Sequence, residues 1–176
     1  MVFTETKLPG AFVIDIERFE DERGFFARCW SQEEFAARGL NRRSVETNLS
    51  VNRKEGTLRG MHFQIAPHGQ PKLVRCTAGA IYDVFIDLRP ESATFKQWVA
   101  VELTAANHRQ VYLPEGFAHG FQTLVNNTEV IYQMSAPYVS ESARGVRWND
   151  PAFNIDWPPA ERTIIGRDQT YPDFTG

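Results

Sequence analysis

A chain of 176 residues, 42% of them hydrophobic and 13 of them phenylalanine, is long enough to bury a core and too apolar to stay disordered. Its formal net charge of -3 supplies no broad positive field, which argues against a nucleic-acid backbone or an anionic membrane as the main partner. Cys29 and Cys76 form no CxxC, the opening MVFTETKLPG is broken by Glu5, Lys7 and Pro9, and no run of ~18 apolar residues occurs. These features exclude a disulfide framework, a conventional signal peptide and a membrane-spanning helix, and the expected compartment is the cytoplasm.

Short apolar or alternating runs recur between turn residues. They are AFVIDI (11–16), GTLRGMHFQ (56–64), KLVRCTA (72–78), AIYDVFIDL (80–88), WVAVEL (98–103), RQVYLP (109–114) and EVIYQM (129–134). Their spacing is that of an antiparallel sandwich or barrel, so the chain is expected to be all-β. Gly79 stands alone between two runs and predicts a hairpin. One short helix is predicted in SQEEFAARG, with Ser31 as N-cap, Glu34 as its capping-box partner and Gly39 past the end, as a surface connection. The C-terminal NDPAFNIDWPPAERTIIGRDQTYPDF is rich in proline and turn residues and predicts an irregular wrap with one helical turn. Nothing divides the chain, so residues 1–176 are expected to form one domain.

Ionisable residues stand inside several of these runs, and a barrel brings the inward faces of separate strands to one interior. His62, Lys72, Asp83, Asp87 and Tyr132 are the candidates. By the two-residue strand period Asp83 and Asp87 share a face with Ile81 and Phe85. Asp83 is expected inside, paired with Lys72, and Asp87 at a solvated end. In TLRGMHFQ, Arg59 and His62 have opposite parity, so they share a pocket only where a bulge at Gly60 re-aims the strand. His62, His68, His108 and His119 include no HxH pair and no carboxylate at ligand spacing, so no metal site is expected. A histidine, lysine and tyrosine set without metal suits proton transfer. Arg23 and Arg59 suit an anionic group, Arg42, Arg43, Arg53 and Lys54 read as ordinary solvated surface, and Tyr138 could stack on a base or simply pack.

DERGFF, GTLRGMHFQ, KLVRCTAGAIYDV, LPEGFAHGF, GVRWNDPAFNIDWP and the late RD together resemble the dTDP-4-dehydrorhamnose 3,5-epimerase family of cupin-like jelly rolls, in order from about Thr4 to Asp173. The resemblance implies an isomerase with no cofactor, acting on a nucleotide-diphosphate 4-keto-6-deoxy sugar, and a homodimer. It implies His62 as base with Asp168 orienting it, Tyr132 as acid and Lys72 beside the enolate oxygen. Arg23 and Arg59 would hold the diphosphate, His119 the sugar, and Tyr138 the base, with Asn48 and Ser50 as polar pocket residues. Phe26 and Arg28 would stand near the nucleobase; Arg28 replaces a glutamate of the family, which opens a CDP-linked sugar as an alternative to dTDP. Gly166 replaces a serine and is expected to loosen the support of Asp168. Single-centre epimerisation and a non-catalytic sugar-nucleotide binding module are the other readings.

Overall fold

The computed structural model describes residues 1–41 and 43–176; Arg42 lies outside the described residues. The strands are β1 (Val2–Glu5), β2 (Phe12–Asp15), β3 (Arg18–Asp21), β4 (Gly24–Ala27), β5 (Glu46–Asn52), β6 (Thr57–Gln64), β7 (Lys72–Ala78), β8 (Ala80–Asp87), β9 (Trp98–Thr104), β10 (Gln110–Leu113), β11 (Phe117–Thr123), β12 (Thr128–Met134), β13 (Ala143–Gly145) and β14 (Thr163–Ile164). Helix α1 (Gln32–Ala36) lies between β4 and β5, and the single turn α2 (Gly166–Gln169) follows β14. One sheet has the order β1-β2-β10-β7-β12-β5, the other β13-β6-β11-β8-β9 with β14 parallel to β6, and β3-β4 is a separate ribbon. This is the expected antiparallel jelly roll.

Three apolar layers explain the composition. Val74, Cys76 and Val130 of the first sheet meet Ile81, Phe85, Leu103 and Phe121 of the second in the space between the sheets. The outer face of the second sheet, with Leu58, Met61, Val84 and Ile86, is covered by Val146, Phe153 and Trp157 of the C-terminal wrap. The outer face of the first is covered by α1, whose Phe35 packs edge-on against Phe3 at 5.4 Å and Tyr112 at 5.8 Å between ring centres. Burial on both faces is why β8 reads as an almost continuous apolar run. The helix is therefore a cover rather than a surface connection. Its N-cap forms as expected, with Glu34 N–H donating to Ser31 Oγ at 3.4 Å, but the Glu34 carboxylate turns to the Met1 amino group instead of closing the box.

The hairpin expected at Gly79 is absent: β7 and β8 belong to different sheets. One residue is too short for a hairpin loop, and Gly79 is instead the crossover between sheets, at φ +74° and packed so closely on Thr128 that a Cβ would lie 2.4 Å from its Oγ1. Asp87 is not solvated. It is buried and receives hydrogen bonds from Arg89 Nε at 2.8 Å, Ser92 Oγ at 2.6 Å and Thr94 Oγ1 at 2.7 Å. Burial alone would raise its carboxyl, but these donors outweigh it and hold it at about 2.

The bulge expected in β6 is present. His119 pairs with His62 and Phe121 with Arg59, so β6 spends three residues where β11 spends two. Gly60 sits in the extra step at φ +126°, and a Cβ there would stand 2.5 Å from Gly120 Cα and 2.9 Å from the His119 carbonyl oxygen. Both obstacles are backbone of a central strand. Gly60→Ala is therefore expected to cost roughly 3 kcal/mol and lower Tm by about 10 °C, measured by thermal unfolding; an unchanged Tm would show that the strands part freely here.

Candidate active site

The bulge delivers His62 into the space between the sheets. Asp168, on α2 and 1% exposed, lies with Oδ1 2.8 Å from His62 Nε2, while its Oδ2 accepts the Gly60 N–H at 3.1 Å. The same glycine thus bends the strand and anchors the carboxylate that grips the histidine. Arg167 Nε donates to Asp168 Oδ1 at 3.3 Å, and its Nη2 comes within 3.4 Å of His62 Nε2. An imidazole whose Nε2–H donates to a carboxylate keeps the lone pair on Nδ1 free. Burial lowers the His62 pKa below the usual histidine value, with the Lys72 and Arg167 charges adding to it against the pull of Asp168. Burial pushes the Asp168 carboxyl up, but hydrogen bonds from His62, Gly60 and Arg167 and the His62 charge leave it below the ordinary range. The pair is therefore a neutral histidine on an ionised aspartate near neutral pH, with a His62 side chain that is still 34% exposed.

Two compartments meet at this histidine. One, of about 480 Å³, is lined by Arg59, His62, Lys72, His119, Tyr132 and Asp168 among others. The second, of about 190 Å³, shares His62, Lys72, Tyr132 and Arg167 and adds Asn48 and Tyr138. His62 and His119 come from the second sheet, Lys72 and Tyr132 from the first, so the two groups face each other across the cavity. Lys72 Nζ donates to the His62 carbonyl oxygen at 3.2 Å. Burial lowers its pKa to about 8, opposed by the Asp83 charge. Asp83 is inside, as expected, but its hydrogen-bonded partner is His119, with Nε2 2.8 Å from Oδ2, rather than Lys72. The reason is register: His119 and Asp83 sit on the neighbouring strands β11 and β8.

The family model for dTDP-4-dehydrorhamnose 3,5-epimerase matches residues 5–176. The chain belongs to that family. A dTDP-4-dehydrorhamnose 3,5-epimerase of Salmonella typhimurium is 43% identical over 159 residues, 90% of this chain and 86% of that protein. Among solved structures, the epimerase of Bacillus anthracis with TDP and PPi bound superposes with a TM-score of 0.94 at 40% identity, covering 98% of this chain and 99% of that one. A 3'-monoepimerase of Streptomyces bikiniensis in complex with dTDP-quinovose has a TM-score of 0.89 at 30% identity, covering 96% and 85% of the two chains.

Placed in this epimerase fold, the expected site residues divide into two groups. His62, Lys72, Arg59, His119, Tyr132 and Asp168 converge on the larger compartment, and Asn48 and Tyr138 on the smaller. Ser50 is buried beside them on β5 and donates to Asn52 Oδ1 at 3.4 Å. Arg23, Phe26 and Arg28 do not reach either compartment. Arg23 is 84% exposed at the turn of the β3-β4 ribbon and pairs with Asp21 through Nη2 at 2.6 Å; Phe26 is exposed on the same ribbon, and Arg28 points to Glu34 at 3.7 Å. The space at the Gly166 Cα is open, and the Asp168 carboxylate is held by Gly60, His62 and Arg167. Arg43, Arg53 and Lys54 are exposed, as expected.

Three residues escaped the sequence reading. Asn52 accepts the Arg59 Nε–H at 2.8 Å and so aims the guanidinium; its place two residues after Ser50, on the same strand face, was the available signal. Arg167 was visible only as the neighbour of Asp168. Tyr171 packs edge-on to His62 with ring centres 6.4 Å apart, and it lies so close over Gly145 that a Cβ there would meet its ring at 2.2 Å.

Proposed function

We propose that the chain is a cofactor-independent 3,5-epimerase of dTDP-4-dehydro-6-deoxy-D-glucose, giving dTDP-4-dehydro-L-rhamnose, with residues 1–176 acting as one domain. The observation that carries this reading is the His62–Asp168 pair on one side of a cavity whose other side presents Tyr132 and Lys72. The ketone at carbon 4 acidifies the hydrogens on carbons 3 and 5. His62 Nδ1 takes one of them, the electron pair moves onto the carbonyl oxygen, and the Lys72 ammonium balances the resulting enolate. Tyr132 gives its phenolic proton to the opposite face of the same carbon, inverting it as the carbonyl re-forms; His62 then releases its proton to solvent and Tyr132 takes one back. Arg59, held by Asn52, binds the diphosphate, with His119 on the sugar and Tyr138 on the base.

The test is to incubate the chain with dTDP- and CDP-linked 4-keto-6-deoxyglucose in deuterium oxide and follow carbons 3 and 5 by NMR. Deuterium at both carbons of the dTDP sugar is the expected result. Deuterium at one carbon supports a single-centre epimerase, a reading favoured by the likeness to the 3'-monoepimerase. Exchange with the CDP sugar alone would move the nucleobase preference, and none with either sugar would leave a binding module.

The pH profile follows from the same two groups. His62 works as base when neutral, and its lowered pKa puts that limb of kcat/KM below pH 6.5. Lys72 works when cationic, and its pKa of about 8 places the alkaline limb there, so activity falls as pH rises through that value. An alkaline limb at 10 or above would remove Lys72 from this role.

A homodimer is part of the proposal, and so is a cytoplasmic location, in keeping with Cys29 and Cys76 both being free. Among the described residues the β3-β4 ribbon pairs with no other strand, and it exposes Phe19 at 66% and Phe26 at 73%. Leu49 and Val51 are likewise exposed on the edge strand β5. A ribbon contributed by a second copy would bring Arg23 and Phe26 toward a cavity that their own chain does not offer them. Light scattering is expected to report a dimer at micromolar concentration and a shift toward monomer on Phe19→Ser with Phe26→Ser; a wild-type monomer would remove this part of the proposal.

A further inference from the structure

Two histidines on neighbouring strands line the cavity, and an aspartate grips each of them at Nε2. His62 and His119 are cross-strand partners, and both His–Asp distances are 2.8 Å. The mechanism uses the first pair as its base and gives the second aspartate no task. Asp83 is 0% exposed, on the central strand β8, and only its Oδ2 is engaged. Its Oδ1 is buried with no hydrogen-bond partner among the described residues. A carboxylate removed from water with one oxygen unpaired is costly in a core, and a nearby opposite charge is what offsets such a cost. That charge is supplied by the Lys72 ammonium, which is half-buried and reaches across from the first sheet, where its Nζ meets the His62 carbonyl oxygen at 3.2 Å.

We propose that Asp83 is a positioning residue for the epimerisation, fixing His119 as the Nε2–H tautomer and serving as the counter-charge that keeps the Lys72 ammonium protonated at the enolate oxygen. This rests on the proposed function. With Nε2–H committed to Asp83, the nitrogen that His119 leaves for the sugar is Nδ1, an acceptor for a hydroxyl donor. Other ionisable groups lining the two compartments with Lys72 are Arg59 and His62 on β6, His119 on β11, Tyr132 on β12, Arg144 on β13, Arg167 and Asp168 on α2, and Tyr138 and Tyr171, with Cys76 on its own strand. Burial pushes the Cys76 thiol up to about 11, so it carries no charge near neutral pH. Arg59 and Arg167 are cationic and cannot hold a proton on a lysine, and Asp168 is already engaged by His62, Gly60 and Arg167. Among these groups Asp83 is the one whose charge raises the Lys72 pKa against its burial.

Asp83→Asn keeps the shape and removes the charge. The alkaline limb of kcat/KM is expected to move down by at least about one pH unit, because a buried lysine without a counter-charge gives up its proton more readily. The Lys72 titration followed by NMR in the free variant should move by the same amount. A lowered Tm with an unmoved alkaline limb and unmoved Lys72 titration would reduce Asp83 to a structural role and overturn the proposal. Should the variant fail to fold, nitrogen-15 histidine spectra of the wild-type chain decide the tautomer: Nε2–H on His119 supports the proposal and Nδ1–H overturns it. That spectrum needs no turnover, so a wild-type chain that exchanges no deuterium defeats the function without moving the tautomer result.

Discussion

His62→Ala is expected to abolish both epimerisation and solvent exchange, lowering kcat by roughly 10³- to 10⁴-fold, the upper range for a positioned proton-transfer group. That loss corresponds to about 4–5.5 kcal/mol of barrier. His119, Asp168 and Lys72, the other nitrogen and oxygen bases beside His62 in the cavity, are each disqualified. His119 Nδ1 is taken up by the sugar hydroxyl from which it is proposed to accept, Asp168 is 1% exposed and ringed by donors, and Lys72 is at least half protonated below pH 8. None can take over the abstraction. The variant should fold, since His62 is partly exposed and Asp168 keeps its bonds from Gly60 and Arg167. Binding of dTDP, measured by calorimetry, is expected to stay within a factor of about three, because the contact proposed for the diphosphate is Arg59 and not His62. A variant that still exchanged deuterium at the wild-type rate would remove His62 from the base role.

How far the site could be read without coordinates depended on whether its residues announced themselves locally. His62 did so because a polar residue in an apolar strand raises a parity question, and Gly60 supplied the answer. An antiparallel sandwich or barrel was legible from the spacing of the runs, and the jelly roll only through the family resemblance, yet β11 was not, although every residue from Phe117 to Thr123 is buried. A strand covered on both faces loses the alternation that marks a half-buried one, and Gly120 and His119 break its apolar run. Gly79 misled for a related reason: the sequence shows that the chain turns, but not whether it returns to the same sheet or crosses to the other. Asp87 misled because its partners, Arg89, Ser92 and Thr94, lie in a loop whose folding back on the strand no periodicity reveals. The resemblance places the ribbon residues Arg23 and Phe26 at the site, and a single chain does not bring them there.

Tyr132→Phe is expected to separate two events that His62→Ala removes together. Tyr132 projects from β12 of the first sheet and His62 from β6 of the second, and facing sheets stand about 10 Å apart. In the proposed mechanism a sugar ring lying between them meets the base on one face and the phenol on the other. Removing the hydroxyl leaves abstraction intact, so the enolate still forms and is still balanced by Lys72. It then recovers a proton, or a deuteron, from the His62 side, where the half-open imidazole exchanges with solvent. Epimer formation should therefore fall by about 10²- to 10³-fold, while deuterium wash-in to unreacted substrate falls by less than about tenfold. The ring itself packs against the core between the sheets, and Phe preserves that packing, so Tm should move by no more than about 2 °C. Equal losses in exchange and epimerisation would show that the phenol acts before or during abstraction, and the assignment of acid and base to opposite sheets would have to be withdrawn.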